Sequence, residues 1–424
     1  MATSSSKVAA DRLKDVKQCV TIEIFNAALG KKLVNLGAGF QDFLLPDFLT
    51  KALVDAVTDK NPFLQQYSRT LGHPRLVNAL SKFYSKQLGR ELHPMKEILV
   101  TAGGREALFS SIISLVNPGD EVIIMEPFYP DYQYLVKIAN GVPVFITLKP
   151  KKLEGTLSSA DWILDPNELA SKFTDKTKII IVNTPHNPLG KVFTRSELQM
   201  ISELCKKHNV ICLMDEVYEH IVFSGSEHVR MATLPGMWER TITIGSASKT
   251  FGATGWRLGW AYGPQELLQS VQQTHICCVG GCCTPIQEAV AVGFEIEMER
   301  MGTSCSFWKG LVESLESKRN RLAQLLTSIG VTPTVPQGSY FMIVDFSNLI
   351  LKLNFDGIQE SKDYKLVKWL ASEKKLQGLP FSAYFSEEHE ALGGNFIRFC
   401  FIKDENTLEK ATQIILDLKK YLTS

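Results

Sequence analysis

Residues 246–260 read SASKTFGATGWRLGW, and this stretch says more about the chain than any other. It places Lys249 among small residues and glycines, eight positions before Arg257. An amine attacks a carbonyl group only when it is unprotonated, so a reactive lysine needs burial or nearby positive charge that lowers its pKa. The pattern predicts that Lys249 forms a Schiff base. A surface lysine in a flexible loop is the alternative that this stretch alone leaves open.

The same stretch offers a place for a phosphate group. Ser246 and Ser248 supply two hydroxyl donors and Arg257 supplies a guanidinium, a set suited to charge-assisted hydrogen bonds with phosphate oxygens. A Schiff-base lysine beside a phosphate site suggests pyridoxal 5′-phosphate, whose ring acts as an electron sink for carbanions. The pyridine ring of this cofactor also needs hydrogen-bond partners for its nitrogen and for its phenolic oxygen.

Size and charge limit the classes of function. The chain has 424 residues, of which 45% are hydrophobic, enough for a large core and typical of more than one domain. With 46 Lys and Arg against 45 Asp and Glu, the formal net charge is +1, so we expect a small-molecule substrate, no nucleic acid and no membrane. The sequence has no apolar run long enough to span a bilayer, and its first ten residues have no secretory signal core.

The nine cysteines are an odd number, which argues against a disulfide framework and favours a reducing compartment. We expect a cytoplasmic protein. Mitochondrial targeting stays open, because residues 1–17 contain serines and basic residues but also Asp11 and Asp15. The cysteine pairs at 277–278 and 282–283 do not have a usual zinc-ligand spacing, so no metal site is expected.

Short apolar runs bounded by turn residues recur through the middle of the chain, at residues 97–101, 121–125, 142–148, 178–183, 210–215, 241–245 and 258–262. Continuous hydrophobic runs indicate strands that are buried on both faces. Helical patterns lie between several of them, such as 197–208 with Thr194 as its capping residue. Strands that alternate with helices predict an α/β fold with a mostly parallel sheet and sites at the carboxyl ends of the strands.

The pattern changes after about residue 301, where a long charged helical stretch at 307–329 is followed by strand-like runs at 340–345 and 396–402. We predict an N-terminal arm that includes part of a small domain (1–48), a large cofactor-binding domain (49–305) and a C-terminal small α+β domain (306–424).

Several polar residues stand where predicted strands end. Asp215 follows the apolar run 210–214, a position from which a carboxylate can pair with a protonated ring nitrogen; a strand-end cap is the alternative. Tyr218 and Asn187 are placed to share the oxygen of the ring. The prolines and asparagines around Asn187 also make an ordinary turn, which is the alternative there.

Gly103 and Gly104 follow a strand and open a helix, where free backbone N–H groups can bind a phosphate, although a glycine pair alone is often only a turn. Tyr129 adds an aromatic ring after another strand. Arg398 lies inside an apolar run, where a charge needs either a ligand or a structural ion pair. These residues follow successive predicted strands in order, and this order supports the interpretation that they form one site.

Five segments together resemble one enzyme family: residues 183–190, 215–218, 235–240, 246–260 and 398–401. They are similar to the class I/II aminotransferases of fold-type I, and more narrowly to the group of kynurenine aminotransferase, glutamine transaminase K and cysteine-conjugate β-lyase. The resemblance runs from about residue 34 to the C-terminus. It implies a large domain with a mostly parallel sheet, a smaller α+β domain, pyridoxal 5′-phosphate as cofactor, and a homodimer with sites at the interface.

The resemblance also implies a role for each site residue. Lys249 forms the Schiff base and carries a proton, and Asp215 holds the ring nitrogen. The other cofactor contacts are assigned to Tyr218 and Asn187 at the ring oxygen, Tyr129 on the ring face, Gly103, Gly104, Ser246, Ser248 and Arg257 at the phosphate, and Tyr67 of the other subunit. The substrate carboxylate is assigned to Arg398 with Asn187, while Gly39 lines the entrance.

Some positions that face the substrate in the resembled group differ here. Its N-terminal tryptophan corresponds to Thr21, and the aromatic residue after its glycine pair corresponds to Arg105. An aromatic pair from across the interface corresponds to Gly280 and Gly281. Because these rings are lost and a cation is added, we hypothesise that the substrate range moves from aromatic amino acids towards one with a second acidic or polar group. Alternatively, Arg105 points away or pairs with Glu106 or another carboxylate.

The expected reaction is transamination, in which an L-amino acid gives its α-amino group to the cofactor and leaves as a 2-oxo acid, and a second 2-oxo acid collects the amine. β-Elimination from a cysteine conjugate is the nearest alternative in the same site. A catalytically silent protein that keeps the fold is a third possibility, against which the intact residues Lys249, Asp215, Tyr218 and Arg398 argue.

Overall fold

The computed structural model describes residues 10–14, 20–28, 30, 32–151, 157–353, 355 and 360–422. A seven-stranded sheet lies at its centre, with strands in the spatial order Ile98–Thr101, Gly259–Tyr262, Thr241–Ser246, Ile211–Asp215, Thr177–Asn183, Glu121–Glu126 and Val142–Thr147. Neighbouring strands are parallel except for Gly259–Tyr262, which is antiparallel to both of its neighbours. The predicted α/β fold with a mostly parallel sheet is confirmed.

The strands are apolar because helices cover both faces of the sheet. Ile98–Thr101 is buried at every position, and Thr177–Asn183 at all but Lys178. A strand covered on one face only would alternate between apolar and polar residues, whereas these runs do not. Burial of each large apolar side chain stabilises the fold by about 1.5–3 kcal/mol, so the sheet is a rigid base for the residues at its edge.

The α-helices of the described chain are Val20–Ala28, Asp47–Thr58, Pro74–Leu88, Gly104–Leu115, Asp131–Ile138, Pro166–Ser171, Arg195–His208, Ala247–Thr250, Gln265–Cys278, Thr284–Arg300, Phe307–Ser328, Ser347–Leu353, Lys362–Trp369, Glu405–Asp417 and Lys419–Leu422. Within the described ranges, none of them is both long and apolar enough to cross a bilayer.

The ends of the helix Arg195–His208 are determined by its local sequence. Thr194 Oγ1 accepts a hydrogen bond from the N–H of Glu197 at 3.2 Å, and Glu197 Oε2 accepts one from the N–H of Thr194 at 2.8 Å. This capping box satisfies two N–H groups and contributes about 1 kcal/mol. The helix stops before Asn209, whose φ of 53° is left-handed. The predicted capping box is confirmed, and the helix begins two residues earlier than predicted.

A second sheet has the strand order Leu379–Pro380, Phe396–Cys400, Phe341–Asp345, Thr332–Val335 and Leu157–Ser158. Its neighbours are antiparallel except for Leu157–Ser158, which pairs in parallel with Thr332–Val335. Separately, Val34–Asn35 pairs in parallel with Leu376–Gln377, so backbone hydrogen bonds join the N-terminal part of the chain to the C-terminal part. The exact domain boundaries at residues 48 and 305 stay predictions.

Candidate active site

A cavity of about 470 Å³ opens where three neighbouring parallel strands end, at Asn183, Asp215 and Ser246. The second sheet borders it through Phe341 and Arg398. Of the residues predicted for the site, the cavity is lined by Gly39, Gly104, Arg105, Tyr129, Asn187, Asp215, Tyr218, Ser246, Ser248, Lys249, Arg257 and Arg398. The carboxyl edge of the sheet is where open α/β folds place their ligands.

Lys249 lies in the short helix Ala247–Thr250, directly after the strand Thr241–Ser246. Its Nζ donates a hydrogen bond of 3.0 Å to the carbonyl of Gly39. Burial lowers the pKa of Lys249 to about 8, with Arg398 and Arg257 acting in the same direction. The side chain therefore has the lowered basicity that a nucleophilic amine requires.

Asp215 ends its strand with a buried carboxylate. Tyr132 donates a hydrogen bond of 2.6 Å to its Oδ2, and the N–H of Val217 donates one of 3.3 Å to its Oδ1. Burial raises the pKa of Asp215 despite these bonds and the charge of Lys249. A cationic N–H group in the cavity would stabilise the ionised carboxylate.

Tyr218 and Asn187 are both buried at the cavity wall. Burial raises the pKa of Tyr218 above its usual range, so its hydroxyl keeps its proton and can donate it in a hydrogen bond. Asn187 is held by its N–H, which donates to Asn183 Oδ1 at 2.7 Å. The turn around Asn187 therefore also presents its side chain to the cavity.

The predicted phosphate donors lie where the backbone of Gly103 comes close to the guanidinium of Arg257. Gly103 has a φ of 91°, and a Cβ at this position would lie 2.9 Å from Arg257 Nη2. Arg257 Nη1 donates to the carbonyl of Thr254 at 3.1 Å. Ser248 Oγ is buried without a hydrogen-bond partner among the described residues. Glycine at 103 thus leaves room for Arg257. The hydroxyl of Ser248 can donate a hydrogen bond to a ligand in the cavity.

Arg398 is buried, with an exposed fraction of 4%. Its Nη1 donates to Asn187 Oδ1 at 2.9 Å, its Nη2 donates to the carbonyl of Gly37 at 2.7 Å, and its Cζ lies 4.0 Å from the ring centroid of Phe341. Within the described ranges no carboxylate forms an ion pair with Arg398, and its Nε has no hydrogen-bond partner. A structural ion pair therefore does not explain this charge, which is available to an anionic ligand.

Arg105 lines the cavity with a half-exposed side chain. Its Nε lies 2.5 Å from Asp131 Oδ2, and its Nη2 donates a hydrogen bond of 2.8 Å to the hydroxyl of Tyr129. Pairing with a carboxylate is thus what the structure shows. The partner is Asp131 rather than Glu106, which instead accepts from the N–H of Ala102. The guanidinium is anchored at the cavity wall and its charge is partly balanced.

Other predicted positions lie outside this cavity. Tyr67 is fully exposed at 101%, and its role in another subunit stays a prediction. Gly280 and Gly281 follow the helix Gln265–Cys278, and their contribution across an interface stays a prediction. Thr21 falls in the helix Val20–Ala28, but its side chain is outside what the structure describes.

Four aromatic residues near the site were not predicted from the sequence: Tyr132, Tyr340, Phe341 and Tyr384, of which Phe341 and Tyr384 line the cavity. Tyr340 donates a hydrogen bond of 3.0 Å to the carbonyl of Gly39. The signal available for Tyr132 was its position shortly after the predicted strand 121–125 and near Tyr129. The others belong to the C-terminal part of the chain, whose orientation depends on tertiary packing.

An amine of lowered pKa, a buried carboxylate and a set of anion-binding donors meet at the carboxyl edge of a mostly parallel sheet. This fold and site define the fold-type I class of pyridoxal-phosphate-dependent transferases. The chain belongs to the family of class I and II aminotransferases, whose model matches residues 31–415. The predicted family and the predicted enzyme class are confirmed, and the family implies pyridoxal 5′-phosphate as cofactor.

Individual relatives support the same assignment. Kynurenine–oxoglutarate transaminase 3 of Rattus norvegicus is 47% identical over 406 residues, which cover 96% of this chain and 89% of the rat protein. Kynurenine–oxoglutarate transaminase 1 of the same species is 44% identical over 409 residues, covering 96% of each chain. The crystal structure of Bna3p from Saccharomyces cerevisiae is 33% identical with a TM-score of 0.88, covering 98% of this chain and 100% of Bna3p. Transamination is therefore the activity of this chain, and the β-lyase alternative is not favoured.

Proposed function

We propose that this aminotransferase binds pyridoxal 5′-phosphate through Lys249 and moves the α-amino group of an L-amino acid to a 2-oxo acid. The observation that carries the proposal is an amine with a pKa of about 8 in one cavity with the buried carboxylate of Asp215. An ordinary surface lysine would remain protonated near neutral pH and would not act as a nucleophile.

The residues around the cavity fit this cofactor. The open position at Ser248 Oγ and the space that Gly103 leaves beside Arg257 suit a phosphate group. Phosphate contacts are proposed for Gly103, Gly104, Ser246, Ser248 and Arg257, ring contacts for Tyr129, Asp215, Tyr218 and Asn187. Asp215 fits a protonated ring nitrogen, because a cation opposite would offset the cost of its burial.

The bound cofactor supplies an electron sink for the negative charge that develops at the substrate Cα. Lys249 Nζ would accept the proton from the substrate Cα and return it to the carbon that was the aldehyde carbon of the cofactor. Its lowered pKa matches this task, because a base works best when its pKa lies near the operating pH. Tyr218 keeps its hydroxyl proton and serves as a neutral hydrogen-bond donor.

Arg398 is proposed to bind the α-carboxylate of the substrate. Its Nη1 and Nη2 are already oriented by Asn187 and the carbonyl of Gly37. The face of Phe341 fixes the plane of the guanidinium, so little side-chain entropy remains to be lost on binding. The α-carbon of the substrate is then held within the cavity that Lys249 lines.

The substrates are proposed to be an L-amino acid and a 2-oxo acid, with the pair kynurenine and oxoglutarate suggested by the names of the relatives. Asp131 balances part of the charge of Arg105, but the half-exposed guanidinium still lines the cavity, so an acceptor or donor with a second acidic group that competes with Asp131 is proposed. Loss of aromatic rings at the positions of Thr21, Gly280 and Gly281 would weaken the binding of kynurenine.

We also propose a homodimer in which Tyr67 reaches the phosphate of the other subunit. Tyr67 belongs to a stretch with several exposed large apolar side chains, Leu44 at 89%, Val54 at 57%, Val57 at 49% and Phe63 at 76%. A second copy of the chain would remove this apolar surface from water. Sedimentation at equilibrium tests this: a monomer at micromolar concentration would contradict it.

A half-reaction tests the proposed activity. Protein loaded with pyridoxal 5′-phosphate should absorb visible light, lose that band when an L-amino acid is added, and release one equivalent of the matching 2-oxo acid. Addition of a second 2-oxo acid should restore the band and yield a new amino acid. Ammonia and pyruvate without a new amino acid, or a band that no amino acid bleaches, would contradict transamination.

A further inference from the structure

Four successive backbone carbonyls, those of residues 37–40, each accept a hydrogen bond from a cationic side chain. Gly37 receives Arg398 Nη2 at 2.7 Å, and Gly39 receives Lys249 Nζ at 3.0 Å. The two remaining carbonyls receive one group, Lys403 Nζ, at 3.2 Å from Ala38 O and 2.7 Å from Phe40 O. We name residues 37–40 the carbonyl segment.

Lys403 is buried to 1% exposure, and its ammonium also lies 4.5 Å from the ring centroid of Phe40. Within the described part of the chain, no carboxylate forms an ion pair with it. Burial of an ammonium costs several kcal/mol unless polar groups replace its water. Here the carbonyls of Ala38 and Phe40 replace the water around the ammonium. The position of Lys403 and the conformation of the carbonyl segment therefore depend on each other.

Two N–H groups of the segment, those of Gly37 and Ala38, are held by the side chain of Asn35. Asn35 Oδ1 accepts from the N–H of Gly37 at 3.0 Å and from that of Ala38 at 2.9 Å. The segment thus has an anchor at Asn35 and a second anchor at Lys403. Its other two carbonyls face the groups that would perform the chemistry.

We propose that Lys403 is a positioning residue for the transamination reaction: by holding Ala38 O and Phe40 O it sets Gly37 O and Gly39 O, which orient Arg398 and Lys249. This rests on the roles proposed above for those two side chains. When Lys249 leaves Gly39 O to react, Tyr340 still donates to that carbonyl at 3.0 Å, so the segment keeps its geometry.

Lys403→Met tests the proposal, because methionine keeps most of the apolar stem and removes the ammonium. We expect the inhibition constant of glutarate, a dicarboxylate without an amino group, to rise about 10-fold or more through misplacement of Arg398. The rate at which the apoprotein takes up pyridoxal 5′-phosphate at a fixed pH should fall, because Lys249 loses the orientation that Gly39 O gives it.

Lys365→Met is the matched control. Lys365 is also buried, and its Nζ donates to the carbonyl of Phe355, outside the carbonyl segment. This variant should lose comparable stability yet keep the inhibition constant and the uptake rate within twofold of wild type. Equal shifts in both variants would overturn the proposal, since they would show a general effect of removing a buried lysine.

Asn35→Ala provides a second route if Lys403→Met does not fold. It loosens the same segment from its other anchor, and we expect the same rise in the inhibition constant. A folded variant of either residue with both readouts unchanged would overturn the proposal. Failure of the proposed function itself would appear differently, as wild-type protein that takes up no cofactor.

Discussion

Tyr132 donates a hydrogen bond of 2.6 Å to Asp215 Oδ2, and both side chains are buried at the end of the central sheet. The bond makes Tyr132 one of two donors that the described residues give this carboxylate, the other being the N–H of Val217. Burial works against ionisation of Asp215, and each donor opposes that effect.

Tyr132→Phe should therefore raise the pKa of Asp215 further and weaken the hold on a protonated ring nitrogen. A hydrogen bond to a charged group is worth about 1.5–3 kcal/mol, so the dissociation constant of pyridoxal 5′-phosphate should rise about 10-fold or more. Equilibrium dialysis measures this constant. Tyr421→Phe is the control, because its hydroxyl accepts from Lys374 away from the cavity. Equal affinities in Tyr132→Phe and wild type would contradict the role given to Asp215.

The lowered pKa of Lys249 predicts a pH dependence for cofactor uptake. Only the unprotonated amine attacks the aldehyde, so the uptake rate should rise with pH through about 8 and then level off. Between pH 7 and pH 9 the unprotonated fraction increases about tenfold for such a group. Stopped-flow absorbance of apoprotein mixed with pyridoxal 5′-phosphate measures the rate. A rate that climbs without a plateau to pH 10 would indicate an ordinary lysine.

Gly103→Ala should damage the phosphate site. A Cβ there meets Arg257 Nη2 at 2.9 Å, and the φ of 91° is strained for alanine. Gly119→Ala is the control, since Gly119 has a φ of 86° but no atom within 4 Å of its would-be Cβ. Both variants should lose about 1–3 kcal/mol of stability from backbone strain. Only Gly103→Ala should also lose cofactor affinity, and equal affinity losses would place the phosphate elsewhere.

Arg105→Tyr should change the substrate preference. With a cation at the cavity wall, wild type should turn over 2-aminoadipate better than kynurenine, with glutamine as a neutral reference. The tyrosine variant should shift the ratio of kcat/KM towards kynurenine about 10-fold or more, and Arg105→Lys should keep most of the preference. Steady-state kinetics with the three amino acids decides. Kynurenine as the best substrate of wild type would rule out the altered range.

The fold class and the central strands were predictable because continuous apolar runs report burial on both faces of a sheet. The placement of Lys249, Asp215 and Asn187 at one cavity was likewise predictable, since each follows such a run in an ordered motif, while their roles stay predictions. The ion pair of Arg105 with Asp131 was not predictable, because it joins the first turns of two helices whose relative placement depends on tertiary packing. The same holds for Lys403, which reaches residues 38 and 40 across more than 360 positions of sequence.

Borohydride reduction of the loaded protein, followed by peptide mass spectrometry, identifies the residue that holds the cofactor. We predict one added pyridoxyl-phosphate mass per chain, on Lys249, and none on the Lys249→Ala variant. The matched variant Lys191→Ala, at another buried lysine, should be labelled like wild type. A label on a different lysine, or no label on wild-type protein that has taken up pyridoxal 5′-phosphate, would contradict the role assigned to Lys249.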